Sequence, residues 1–361
     1  MTTVGTVRPR AFTERALLWL TLGWYAAWHV GGHVDAWYHL QYGFTIESFI
    51  VWPHVLLYAG VAGTAVAVAA YLAESLARDE PRAAWLPRGF GSVLLGALLF
   101  LVGGVVDFAW HSAFGFEVNL ETLLSPAHLW LLLAAMIAGF GLFRASVEQR
   151  RRAGPPAIGA RLVDVPVVLS VALLFRLVLW SFFYSEPSAI DFASGGFHAG
   201  RLHGYAGIAW EDLAARVAGV TGIILHSVFL ALFLVVPLRQ LVLPRGAIVT
   251  IVGWDAILVA AVTDMWLYLP AALGGALTGE LIWARMWRGV LSGLHGDVGY
   301  WALGAAVPTV QLLIYFAVMT AFGGGSAWTT HLWAGAPLMA GLYGLITSLL
   351  VVPPKSVRGE R

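Results

Sequence analysis

The sequence predicts an all-α, polytopic integral membrane protein: a bundle of about ten transmembrane helices, nine on the smallest count, built from repeated helical hairpins. Three observations predict it. Of the 361 residues, 59% are hydrophobic and only 11% charged, against roughly 25% charged in soluble domains. The apolar residues gather in stretches long enough to cross ~30 Å of hydrocarbon, which takes about 20 helical residues. Those stretches are apolar throughout instead of alternating, which excludes β-barrel strands.

In chain order, spans are expected near Ala16–Val34, Val51–Leu72, Phe90–Val106, His128–Leu142, Val167–Phe183, Ala218–Val236, Ala247–Leu267, Tyr300–Phe322 and His331–Val351. The first holds Trp24, Tyr25, Trp28 and His29 without a small-residue cleavage site, so it reads as a retained helix and not as a signal peptide. Arg8, Arg10 and Arg15 precede it, Arg78, Arg82 and Arg88 separate spans two and three, and Arg144 to Arg152 follow span four. Those loops belong in the cytoplasm by the positive-inside rule. The alternate loops, Leu40–Ile50 and Ser112–Leu123, lack Lys and Arg, hold Glu47, Glu117 and Glu121, and belong outside. The basic tail with Lys355, Arg358 and Arg361 belongs inside. An even number of crossings is then required, and Leu273–Leu291, interrupted by Glu280, supplies the tenth. The expected location is the inner (plasma) membrane, multi-pass, with both termini cytoplasmic. "RRRAGPPAI" at 150–158 divides residues 1–154, two tandem hairpins, from a second transmembrane half at 155–361.

Composition also limits the chemistry. The chain has no cysteine, which excludes disulfides, thiolate metal sites, cysteine-held iron–sulfur clusters and covalent c-type haem. Any metal must be held by His and carboxylates. A net charge of +1, with no basic cluster among aromatics, gives no sign of a nucleic-acid partner.

Within this apolar text one polar phrase is written twice. "GGHVDAWYHLQYGF" (31–44) and "GGVVDFAWHSAFGF" (103–116) share two glycines, a Val-Asp pair, a His four residues after the Asp, and Gly-Phe at the same offsets. Each is followed by a Glu-bearing loop and then by Pro and His opening the next helix: Pro53-His54, and Pro126-Ala127-His128. On a helix, Asp35 and His39 are one turn apart, as are Asp107 and His111, so each pair aims at one point. A His at the start of the facing helix supplies a third ligand. One carboxylate with two imidazoles suits copper, iron, zinc or manganese, with Glu47 and Glu121 as further candidate ligands. Structural packing is the competing explanation, but charged residues inside spans are expensive and mostly functional. The second unit is expected to be the stronger metal centre, because its loop also carries Glu117; unit one instead has His29 and His33, one turn apart, which offer a separate site or a proton path. The "HLW" at His128 returns at His331, and His226 sits comparably on the sixth span, so residues 155–361 read as decayed copies of the unit.

The Asp-x-x-x-His step followed by a His on the next helix resembles the metal site of the C subunit of the copper-dependent particulate methane and ammonia monooxygenases. The matching positions are Asp107, His111 and His128, or Asp35, His39 and His54. The pattern is duplicated here, and the third ligand comes later, beyond the Glu-bearing loop. The resemblance implies a copper centre at the outer side of the membrane, serving oxidation of a small apolar substrate, with other membrane subunits or further copies of the chain as partners alongside membrane lipid.

Other classes compete. A b-type haem or quinone electron-transfer subunit would use His54, His128, His226 and His331 as axial ligands, leaving the Asp residues unexplained. A metal or proton transporter fits internal repeats and intramembrane charge, but its sites approach the midplane. A hydrolase would use the same ligands to activate water. Arg176, inside "LLFRLVLW", is expected to find Asp255 and Asp264 as counter-charges, with Glu280 a further candidate; His198 and His203 belong to an outer loop, and His295 and Asp297 lie near the inner face.

Overall fold

The computed structural model describes residues 13–43, 51–117, 121–154, 162–190, 192–193, 212–287, 296–326 and 328–354, apart from the side chains of 121 and 212–215. Its long helices are α1 (Glu14–Tyr42), α2 (Trp52–Ala77), α3 (Phe90–Phe114), α4 (Pro126–Arg152), α5 (Val165–Trp180), α6 (Asp212–Leu241), α7 (Ala247–Thr263), α8 (Leu269–Trp287), α9 (Asp297–Phe322) and α10 (Thr330–Val351). Each stretch expected as a span overlaps one of these helices, the Glu280-interrupted one as far as Trp287, where α8 ends. Six of them, α2, α3, α4, α6, α9 and α10, are long and apolar enough to cross a membrane. Large side chains such as Val105, Phe322, Leu338 and Leu350 stand exposed on them, a surface that lipid covers and water would not tolerate in this extent. The chain is a helical membrane bundle.

Local chemistry sets the helix starts. Thr13 Oγ1 accepts from the Ala16 amide at 3.1 Å to cap α1; Ser125 caps α4, ahead of Pro126 at its first position, the place where a proline's missing N–H costs nothing. α1 and α3 run further than hydropathy alone predicts, to Tyr42 and Phe114. The Asp-His pairs therefore stand on the last helical turns and not in the loops.

Consecutive helices pack as tight antiparallel hairpins, α1 on α2 and α3 on α4. A Cβ added at Gly31 would fall 2.6 Å from the Leu57 Cα, and one at Gly60 2.2 Å from the Trp28 amide nitrogen, the close backbone approach that small residues permit in membranes. The buried apolar side chains form two clusters. One joins Leu17 through Ala145 with Leu173; the other runs from Val167 to Ala340, and Trp254 touches both. At the basic end, Arg152 pairs with Glu14 at 2.7 Å and Arg150 with Asp164 at 2.7 Å, so the start of α1 meets the end of α4. The repeated Asp and His residues occupy the opposite end of the same four helices.

Candidate metal centre

Each hairpin closes one three-residue cluster. Asp35 Oδ1 lies 3.4 Å from His39 Nε2 and 3.1 Å from His54 Nε2. Asp107 Oδ1 lies 3.4 Å from His111 Nε2 and 3.3 Å from His128 Nε2. The paired imidazoles repeat as well: His39 and His54 centroids are 5.5 Å apart at 52°, and His111 and His128 are 5.4 Å apart at 52°. Within each cluster, ligand-type atoms from all three residues lie within 4.8 Å of one another.

The repeated Gly-Phe explains how the rings are held. Gly43 (φ 78°, ψ −173°) and Gly115 (φ 81°, ψ −175°) end α1 and α3 in a region of backbone space open essentially to glycine alone. The Gly43 carbonyl lies 3.2 Å from His39 Nδ1, and the Gly115 carbonyl 3.3 Å from His111 Nδ1. A carbonyl only accepts, so Nδ1 carries the proton and, in the neutral ring, Nε2 presents a lone pair to the Asp. Phe116 stacks on His111 at 4.5 Å and 26°. On the facing helix, the Oγ of Ser125 lies 2.9 Å from His128 Nδ1. Ring nitrogens fixed from behind in this way are the habitual outer support of metal-ligating histidines.

The result is electrostatically incomplete. Asp35 Oδ1 and Asp107 Oδ1 are buried without a well-formed hydrogen bond, although each faces two imidazole nitrogens. Where the neutral ring of His39 or His111 turns its Nε2 lone pair on the carboxylate oxygen, a proton or a metal cation between the two relieves the repulsion. Bonds of ~2.0–2.1 Å in a tetrahedral arrangement put ligand atoms ~3.3–3.4 Å apart, close to the observed Asp–His separations. Three protein ligands leave a fourth position open.

Both clusters line one cavity of about 250 Å³. The rest of its wall is mostly apolar, with Trp28, Phe100, Leu131 and Trp180 among the lining residues; Tyr25, Tyr58 and Thr122 add hydroxyls, and neither Lys nor Arg contributes to it. His29 and His33 also line it, about one and two-thirds turns and about half a turn before Asp35 on α1. Tyr58, one turn after His54, sits against Gly104, where an added Cβ would fall 2.3 Å from the phenol oxygen. Sequence reasoning missed it: a tyrosine in an apolar span has no pattern of its own, and only its spacing from His54 marks it.

The remaining expected residues scatter. Glu47 and the side chain of Glu121 lie outside the described residues, as do His198, His203 and His295. Glu117, offered as a ligand or base, stands behind His111 with Oε2 3.2 Å from Nδ1, on the side away from Asp107. His226 is buried, with Nε2 3.4 Å from Gln311 Nε2 and Nδ1 4.0 Å from Glu186 Oε1, so side chains occupy both edges of its ring. His331 is exposed in the first turn of α10. Arg176 does pair with Asp255, at 2.8 Å, but its second carboxylate is Glu186, also at 2.8 Å, and not Asp264; Asp264 ends α7 instead. Glu280 is no counter-charge to Arg176: its Oε1 accepts from the Ile248 amide at 2.8 Å and so caps α7. Glu186 escaped notice because it lies past the end of a span, on the turn after α5.

Comparison with protein-family models, curated proteins and solved structures finds no match for this chain. What the fold and the site define is a class: a helical membrane protein with paired Asp-His-His clusters that could hold metal ions.

Proposed function

We propose that the protein is a membrane metalloprotein that binds one transition-metal ion in each Asp-His-His cluster, copper by preference, and that the two sites serve the oxidation of a small apolar substrate in the shared cavity. The observation that carries this reading is the orphaned Asp oxygen facing two imidazole nitrogens, present twice with the same geometry. A structural ion pair does not need the backbone carbonyls of Gly43 and Gly115 to turn an acceptor nitrogen of His39 and of His111 on the carboxylate. The ligand set of one carboxylate and two imidazoles favours Cu(II) over the other divalent first-row ions, and the open position facing an apolar chamber favours work on a substrate over storage. In this reading all ten long helices cross the membrane, both termini are cytoplasmic, and the sites sit at the extracytoplasmic end, because the arginines gather at the other.

His111 has Glu117 behind it and His128 has Ser125, and carboxylate-backed imidazoles bind metal more strongly. That support favours a metal ion at the second site. The test is metal analysis of detergent-purified protein loaded with Cu(II), Zn(II), Fe(II) or Mn(II) and then desalted, together with the Cu(II) resonance spectrum. Two ions per chain are expected, falling to one in Asp107→Asn and one in Asp35→Asn. Unchanged metal content in both variants, or no retained ion of any kind, overturns the proposal.

A further inference from the structure

The polar groups facing the cavity are not all used by the two metal clusters. His29 and His33 are each 6% exposed and more than nine-tenths buried, line the chamber, and have an Nε2 with no hydrogen-bond partner. The orientation of His33 is fixed. Its Nδ1 donates to the His29 carbonyl at 2.8 Å, so in the neutral ring its Nε2 is an acceptor. The two rings lie 4.7 Å apart, and Trp180 meets His33 edge-on at 4.7 Å and 71°. No carboxylate pairs with either ring among the described residues. An orphaned acceptor in a mostly apolar chamber carries the full penalty of its lost hydration, and the unpartnered Nε2 of His29 beside that of His33 marks a place where something else supplies the missing partner.

The size and lining of the chamber restrict what that is. A dry apolar cavity of ~150 Å³ holds a benzene molecule, and this one, at about 250 Å³, has room for one substituted ring. Trp28, Phe100 and Trp180 offer aromatic faces and edges for it. His33 is about 3 Å along the helix axis from Asp35, and His29 about 9 Å, at 1.5 Å per residue. A ring held by its hydroxyl at the pair therefore extends toward the metal clusters.

We propose that His29 and His33 are the polar anchor of a binding site for a small neutral phenol, whose hydroxyl donates to Nε2 and whose ring fills the chamber. This names the substrate class for the oxidation proposed above and rests on that reading, but binding itself needs no metal, so the two fail separately.

The test uses full-length protein in detergent, stripped of metal by a chelator. Phenol, anisole and toluene are titrated at free concentrations corrected for partition into detergent, with tryptophan fluorescence and calorimetry as readouts. The wild-type chain should bind phenol at least about tenfold more tightly than toluene or anisole, the worth of one well-placed hydrogen bond. In His33→Phe that ratio should fall about tenfold while toluene binding persists; His29→Phe should reduce it too. Equal affinity for phenol and toluene in the wild-type chain overturns the proposal, whatever the variants do. So does an unchanged ratio in a folded His33→Phe, or a third metal ion per chain that this variant loses, which would make the pair a metal site. Metal content measured on the same preparations after reloading with Cu(II) and desalting decides the first proposal independently.

Discussion

Gly115 does two jobs at once. Its N–H closes α3 on the His111 carbonyl at 2.9 Å, and its own carbonyl lies 3.3 Å from the Nδ1 of the same residue. Alanine at φ 81° would cost about 1–3 kcal/mol in backbone strain and turn that carbonyl away. Gly115→Ala should therefore lower the melting temperature and weaken metal binding at the second site, whereas Gly91→Ala, with open space around it, should do neither. Ser125 is a second such residue. Ser125→Ala removes the α4 cap, worth about 1 kcal/mol, and the partner of His128 Nδ1, which should reduce metal affinity about tenfold; Ser125→Thr should restore both. A calorimetric metal titration on the three proteins checks this. If Ser125→Ala destabilises the chain without changing affinity, the hydroxyl is a helix cap and nothing more.

Among the elements, each cluster draws its ligands from one hairpin, α1 with α2 or α3 with α4. The contact at Gly60 should accordingly control the first site alone. A methyl there would meet the Trp28 backbone at 2.2 Å and push α2 off α1, so Gly60→Ala should lose one ion per chain and keep the other. Loss of both, by metal analysis, would show that the hairpins do not act separately. This division was legible in the sequence because helical spacing fixes which residues share a face, and the Asp-x-x-x-His step with its later His needs only that spacing and a tight turn. The helices were legible for the same reason, and α8 falls where the parity of the arginine-bearing loops asked for a further helix, despite Glu280. What could not be read were partners set by packing between distant elements. Glu186 finds Arg176 only because a turn folds back beside α5, and Glu280 caps a helix that begins 33 residues earlier, at Ala247. His29 and His33 share a cavity with both clusters through helix placement that no local pattern encodes.

At the level of the whole molecule, α5 gives Leu173 to one apolar cluster and Phe175 to the other, and beside them carries Arg176, fully buried between Glu186 and Asp255. Ser188 donates to Glu186, and Gln311 reaches both His226 and Tyr268, so polar contacts link α5, α6, α7 and α9. Removing the cation alone leaves two buried carboxylates facing each other, a loss of about 3–5 kcal/mol. Arg176→Met should fail to yield folded protein, and Arg176→Met combined with Glu186→Gln and Asp255→Asn should recover it, as judged by elution as a single species from detergent gel filtration. A well-folded single variant would mean the triad is dispensable.

Completion of each ligand set within one hairpin also has a consequence for biosynthesis. The ribosome delivers this chain from its N-terminus, and helices pair as they arrive. All of Asp35, His39 and His54 have emerged once α2 ends at Ala77, and the second trio once α4 ends at Arg152. Trp180, Phe183 and Val262, which wall the chamber from the other half, do not yet exist at that moment. In the proposed metalloprotein, ions taken up by the nascent hairpins would meet an open groove that the later helices close over them, whereas uptake by the finished protein would have to proceed through the mouth of a chamber already built.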